Sequence, residues 1–165
     1  MQAYDWSFFL LRLPIRANGK TIFNCWTTQQ GLENWFLRSA KFIRPDGSIR
    51  DANSSIEIND NYEWLWHGWA DDVAEKGNIL ELSENFLKFS FGKAENVSII
   101  FKQEAGQNIL ELLQDEIPVD ENSQIYYHLG CTKGWIFYLT NLKSILEGGI
   151  DLRNRDIELE NVITA

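Results

Sequence analysis

At 165 residues, with 44% of them hydrophobic, the chain is long enough for one domain with a proper core. A net charge of −9, with no basic cluster that locally reverses it, argues against binding to phosphate backbones and disfavours an anionic membrane surface. Seven tryptophans and ten phenylalanines predict a wide core or an aromatic-lined pocket.

The opening MQAYDWSFFLLRLPIRANGK has no basic leader followed by a long apolar run, and Phe8 to Leu11 is too short for a signal-peptide core or a membrane span. The expectation is a cytoplasmic protein without membrane insertion, in which Cys25 and Cys131 are free thiols. Trp6 to Ile15 reads as a first strand ended by Pro14 and the polar run that follows. Ala17 to Trp26 predicts a short helix, and a second, capped by Thr27 or Thr28, runs through Leu37. Ala40 to Arg44 is a strand, Pro45-Asp46-Gly47 a turn, and Ser55 to Ile58 a short alternating stretch. In YEWLWHGW, Tyr62, Trp64 and Trp66 share one face and Glu63, Leu65 and His67 the other. Asp71, Asp72 and Glu75 read as a solvated loop. Further strands run from Gly77 to Leu82, Phe86 to Phe91, Val97 to Lys102 and Asn108 to Ile117. Their alternation describes a sheet with one packed and one wetter face.

The segment from Asp120 to Gly149 predicts one long amphipathic helix, capped by Asp120 or Asn122 and stopped by Gly148-Gly149. A spacing of 100° per residue puts Ile125, His128, Thr132, Trp135, Ile136, Leu139, Leu142 and Leu146 on the inner face. Gly130, Gly134, Phe137 and Asn141 fall opposite. Each helical glycine costs about 1 kcal/mol against alanine, so close packing over that outer face is expected. The occupant is either the tail from Ile150 to Ala165 or a second copy in a homodimer. The tail's Leu152, Ile157, Leu159, Val162 and Ile163 need burial.

The order of strand, two short helices, about six strands and one long helix resembles the START-like (SRPBCC, helix-grip) superfamily. It is most similar to the branch of Hsp90 ATPase activator homologues. The residues that carry the resemblance are Ile15-Arg16-Ala17, Thr27 to Phe36 with its Trp35-Phe36, FSFG at Phe89 to Gly92, and Gly134-Trp135 followed by Leu139, Leu142 and Leu146. The resemblance covers Phe8 to about Glu147, within a single domain of residues 1–165 whose tail, 148–165, lies beyond the family pattern. It implies an α+β helix-grip fold, a curved antiparallel sheet of six to seven strands wrapped around the last helix with a cavity between them. It includes carriers, receptors and cyclases, so function does not follow from fold. The chaperone activator carries chaperone contacts partly in a further domain; no such domain is expected here, which counts against co-chaperone activity.

His128, Cys131 and Thr132 are the polar group expected at the cavity, to bond a ligand's polar end or, for His128, to act as a base; the plain alternative is a satisfied helical histidine. Trp135 and Leu139 continue the helix side of the wall. Tyr62, Trp64 and Trp66 would floor the pocket or be core, and Trp35 and Phe36 would close one end. Two histidines and two cysteines without metal-ligand spacing predict no metal, and no cofactor fingerprint is present. The leading reading is a binding protein for a small hydrophobic or amphipathic ligand. The alternatives are an interaction or co-chaperone-like module with a filled core, and a cyclase-type enzyme with His128 as base.

Overall fold

A computed structural model describes residues 4–156 except residue 94, together with 158, 159, 162 and 163. Seven antiparallel strands form one sheet, in the order β1-β7-β6-β5-β4-β3-β2. They are β1 (Phe9–Ile15), β2 (Ser39–Ile43), β3 (Asn61–Leu65), β4 (Ala74–Ser83), β5 (Phe86–Phe91), β6 (Glu95–Glu104) and β7 (Gln107–Asp115). Helices α1 (Gly19–Thr27) and α2 (Gln29–Trp35) follow β1. The chain from Glu121 to Leu146 is the gripped helix, and the α+β helix-grip architecture is the one expected.

Local chemistry sets the connections. Asn18 caps α1 by accepting from the Lys20 amide, and Thr28 caps α2 by accepting from Gly31. Ala105 and Gly106 both have positive φ, 49° and 75°, which gives the β6–β7 hairpin a two-residue turn whose twist matches its strands. Strand alternation then sorts the side chains. Phe89, Val97, Ile99, Leu110 and Leu112 are buried on the helix-facing side. On the outer side Glu111 pairs with Arg12 and Lys102, and Arg12 also pairs with Glu104.

The long helix departs from a uniform α-helix. After a short α3 (Glu121–Ser123), residues Gln124–Leu129 form a π-helix, and α4 runs from Gly130 to Leu146. In the wider turn the Gly130 amide reaches back to the Ile125 carbonyl, five residues away. The buried residues of the first part, Ser123 and His128, are also five apart. A stripe drawn at 3.6 residues per turn therefore fails across this stretch. Ile125 and Ile136, expected inside, are half exposed, whereas Tyr138 and Asn141 are buried beside Trp135, Leu139 and Leu142.

The alternating stretch from Ser55 to Ile58 makes one isolated bridge, from Ser55 to Thr28. Two further expectations are corrected. Glu75 belongs to β4, paired with Trp64, and does not sit in a solvated loop. The outer helix face is not closely covered at Gly130, where an added Cβ would meet only the Ile125 carbonyl at 3.6 Å.

The tail does return to the body of the protein, but a charge holds it. The Arg153 guanidinium is buried and donates to the carbonyls of Glu33, Asn34 and Leu37 at the end of α2, at 3.0, 2.9 and 3.2 Å. Asp151 holds the same guanidinium at 2.7 Å. Asn141, fully buried on α4, donates to the Trp35 carbonyl at 2.7 Å and accepts from the Leu152 amide at 2.7 Å. The apolar tail residues Leu152, Leu159, Val162 and Ile163 stay exposed, and Ile157 lies outside the described residues.

Candidate functional site: an aromatic cavity between sheet and helix

A cavity of about 240 Å³ opens between α4 and the far half of the sheet. Its walls are Cys131, Gly134, Trp135 and Tyr138 from α4, Phe91 from β5, Phe36 at the end of α2, and Trp66, Trp69 and Val73 from the segment joining β3 to β4. Trp69 and Val73 are 48% and 42% exposed, so the mouth lies at that segment. Trp135 is fixed by donating from its indole to Gln114 Oε1 at 2.9 Å, and it packs on Phe36 and Phe91 at centroid distances of 5.1 and 5.6 Å. Gly134 contributes open space because it carries no side chain. It was expected on the outer face; the structure puts it in the cavity wall.

Four of the residues singled out from sequence line the cavity: Phe36, Trp66, Cys131 and Trp135. Trp35, Trp64, Tyr62 and Leu139 lie in the core behind it. The Tyr62 and Trp64 rings stack at 4.0 Å, and the Trp35 indole donates to the Cys25 carbonyl at 2.9 Å. The sequence reading missed Phe91, although it sits two residues after Phe89 on the same strand face. It also missed Tyr138, three residues beyond Trp135, because a uniform spacing of 100° per residue puts the glycine-marked face outward. Trp69 and Val73 come from a connecting segment with no periodic signal.

His128 and Thr132 face elsewhere. The π-helix turns His128 toward the N-terminal segment, where its Nε2 is 2.9 Å from the Tyr4 hydroxyl and its ring packs against Trp6 and Phe9 at 5.0 and 5.5 Å. Thr132 donates to the His128 carbonyl at 2.6 Å. Burial lowers the His128 pKa below its ordinary 6.5. The unfolded chain therefore takes up this proton before the folded one does. His128 contributes stability that is present above pH 6.5 and is lost as pH falls from there toward the lower folded value. His67 is shifted the same way, chiefly by burial and then by Arg153. Urea midpoints measured from about pH 7.5 to 5.5 should fall with acidification in the parent. They should fall less steeply in His128→Phe and less steeply still in His128→Phe/His67→Asn. An unchanged slope would refute the assignment.

Polar groups stand behind the cavity on the same sheet face. Registry pairs Trp64 with Glu75, Phe91 with Glu95 and Val97 with Gln114, so all three polar residues point to the helix side with their aromatic and aliphatic neighbours. Glu95 is 1% exposed and its Oε2 accepts from the Lys93 amide at 3.1 Å, while Oε1 has no partner among the described residues. Glu75 accepts from the Gly92 amide at 2.9 Å, and its pKa is raised by burial and by the charge of Glu95. The Cys131 thiol is pushed up to about 11, mostly by burial. Gln114 opposes the shift, and the charges of Glu95 and Glu75 add to it. A thiol held that high is a neutral wall group at physiological pH, not a nucleophile.

A curved seven-stranded antiparallel sheet gripping a long C-terminal helix, with an aromatic cavity between the two, defines the helix-grip class. Within it, this chain belongs to the family described as Activator of Hsp90 ATPase homolog 1-like protein, whose pattern matches residues 16–147. Solved structures of the same fold include the protein SSP2350 from Staphylococcus saprophyticus, with a TM-score of 0.68, 16% identity, and coverage of 88% of this chain and 96% of that one. The Aha1 dimer from Colwellia psychrerythraea aligns with a TM-score of 0.65 and 14% identity over 86% of this chain and 97% of that one. CalU16 from Micromonospora echinospora gives 0.64 and 16% over 88% and 77%. At these identities the likeness is one of fold. No curated protein matches the sequence. Among the described residues, no helix is long and apolar enough to cross a membrane.

Proposed function

We propose that this protein binds a small hydrophobic or amphipathic molecule in the cavity between sheet and α4. The observation that carries the reading is the unfilled space of about 240 Å³, walled almost entirely by aromatic and aliphatic side chains. A dry cavity of roughly 150 Å³ accommodates benzene, so this one has room for a one- or two-ring ligand. The proposed contacts are Phe36, Trp66, Trp135 and Cys131, joined by Phe91 and Tyr138. Trp35, Tyr62, Trp64 and Leu139 support that wall from the core, His128 anchors the N-terminal segment, and Thr132 is spent on the His128 carbonyl. Because His128 is turned toward Tyr4, the cavity holds no positioned histidine base, which favours binding over cyclase chemistry. Free Cys25 and Cys131 fit a reducing, cytoplasmic setting.

The test is a titration with naphthalene derivatives, read by thermal shift and native mass spectrometry. A ligand at about 100 times its Kd adds about 2.7 kcal/mol, a rise of roughly 5–10 °C for a domain of this size. Gly134→Leu, which fills the space from the helix, should abolish the rise while leaving a folded protein. A rise that persists in Gly134→Leu would place binding elsewhere.

A second reading concerns self-association. Ile125, Leu129 and Ile136 form an exposed apolar stripe on the outer side of the last helix, where Gly130 is uncovered, with Phe137 half-buried beside it. A homodimer through this face is tested by sedimentation of Ile136→Glu, which should be monomeric where the parent is not.

A further inference from the structure

Resting on the cavity as a ligand site, we infer that its ligand is an organic cation: a protonated amine carried on an apolar or aromatic body. Six of the nine lining residues are aromatic, drawn from α2, β5, α4 and the β3–β4 segment, so that rings face the space from several sides. The negative faces of such rings attract an ammonium group and tolerate its apolar substituents. An aromatic wall alone does not discriminate a cation from a neutral ring system. The sheet face behind it supplies the sign.

Glu95 pairs in register with Phe91, a wall residue, and Glu75 enters the sheet two residues after Val73, which lines the mouth. Both carboxylates lie on the helix-facing side and accept from successive amides of the β5–β6 turn, Glu75 from that of Gly92 and Glu95 from that of Lys93. A Cβ built on Gly92 would come within 1.8 Å of Glu95 Oε2, so the glycine is what lets the carboxylate fold in over the turn. Two carboxylates held near one another in a buried setting repel, and the repulsion is relieved either by a proton kept on one of them or by a cation placed beside both. The neighbouring strand lysine does not serve, because Lys76 is paired with Glu63 on the other face at 3.0 Å. Glu95 Oε1 is left without a partner among the described residues, on a side chain only 1% exposed. Glu95 beside Phe91 and Glu75 two residues from Val73 thus stand next to two of the wall residues, on the cavity side of the sheet. A core that merely needed filling would have placed leucine or valine at these two positions.

Calorimetry with three probes of one shape tests the inference: naphthylmethylammonium, naphthylmethanol and naphthoate. The ammonium is expected to bind at least about tenfold tighter than the alcohol, with the carboxylate weakest. Glu95→Gln, which retains an acceptor for the Lys93 amide, should remove most of that preference and leave alcohol binding unchanged; the retained alcohol affinity also reports that the variant is folded. Glu75→Gln should act in the same direction. Equal or tighter binding of the alcohol by the parent would overturn the cation assignment and leave the cavity reading standing. An ammonium preference that survives both substitutions would overturn the assignment of its sign to Glu95 and Glu75. If none of the three probes binds in a manner blocked by Gly134→Leu, the cavity reading falls and takes this inference with it.

Discussion

Arg153→Ala is expected to cost about 3 kcal/mol and to lower the melting temperature by roughly 10 °C. Arg153 lies far along the chain from the residues it touches, yet its side chain is only 2% exposed. Its five donors are spent on the carbonyls of Glu33, Asn34 and Leu37 and on the carboxylate of Asp151. The end of α2 presents carbonyls without helical partners, and a fixed cation there satisfies them and opposes the negative end of the helix dipole. Removing the guanidinium leaves three carbonyls around a void, whereas Asp151 keeps Arg155 at 2.6 Å. The loss therefore comes from the orphaned backbone and not from a broken surface ion pair. Arg153→Lys, which keeps the charge but not the fork, should recover only part of it. Guanidinium would mask the charge interaction, so urea denaturation is the appropriate measurement. A change below about 1 kcal/mol in Arg153→Ala would show that water replaces the guanidinium freely.

An effect of similar or larger size is expected at Asp60, which is fully buried in the connection between β2 and β3. Its carboxylate receives the Arg50 guanidinium through Nε and through Nη2, the latter at 3.0 Å, and also the Glu57 amide at 2.8 Å. The Arg50 side chain is 6% exposed, so Asp60→Ala strands a cation whose remaining partner, Glu57, stands in solvent. Breaking such a pair from one side costs about 3–5 kcal/mol. Replacing both members by apolar residues, as in Arg50→Met/Asp60→Leu, should cost less than Asp60→Ala alone, because no charge is then left buried. A double variant as unstable as the sum of its parts would show that the pair acts only by shaping the loop.

Most of the fold was legible because apolar alternation and turn chemistry agreed. Leu87, Phe89 and Phe91 alternate with Lys88 and Ser90, and β5 lies where that pattern puts it. The sequence order of elements, through its resemblance to the helix-grip proteins, carried the topology, which no single strand pattern could. The site was legible only in its aromatic half. Glu75, Glu95 and Gln114 escaped because alternation assigns a polar residue to the wet face, and only sheet registry reveals that these three point inward. The acidic run before Gly77 reinforced the error, since Asp71 and Asp72 are indeed exposed. The tail was misread for a related reason. Its leucines, isoleucines and valine are the groups whose chemistry calls for burial, whereas the buried one is Arg153, whose value depends on three carbonyls more than a hundred residues away.

The wide turn at Gln124–Leu129 has the geometry of one residue spliced into an otherwise regular helix. Such an insertion rotates everything before it by about 100° relative to everything after it. The gripped helix thereby acts as two rotors on a common shaft. The forward rotor aims His128 at Tyr4, Trp6 and Phe9, and the rear one aims Cys131, Trp135 and Tyr138 at the cavity. Excising a single residue between Gln124 and Leu129 would turn the forward rotor by that angle, pulling His128 off its aromatic seat while the cavity wall kept its alignment. The clasp on the N-terminal segment and the shape of the pocket are thus separately adjustable features of one continuous element.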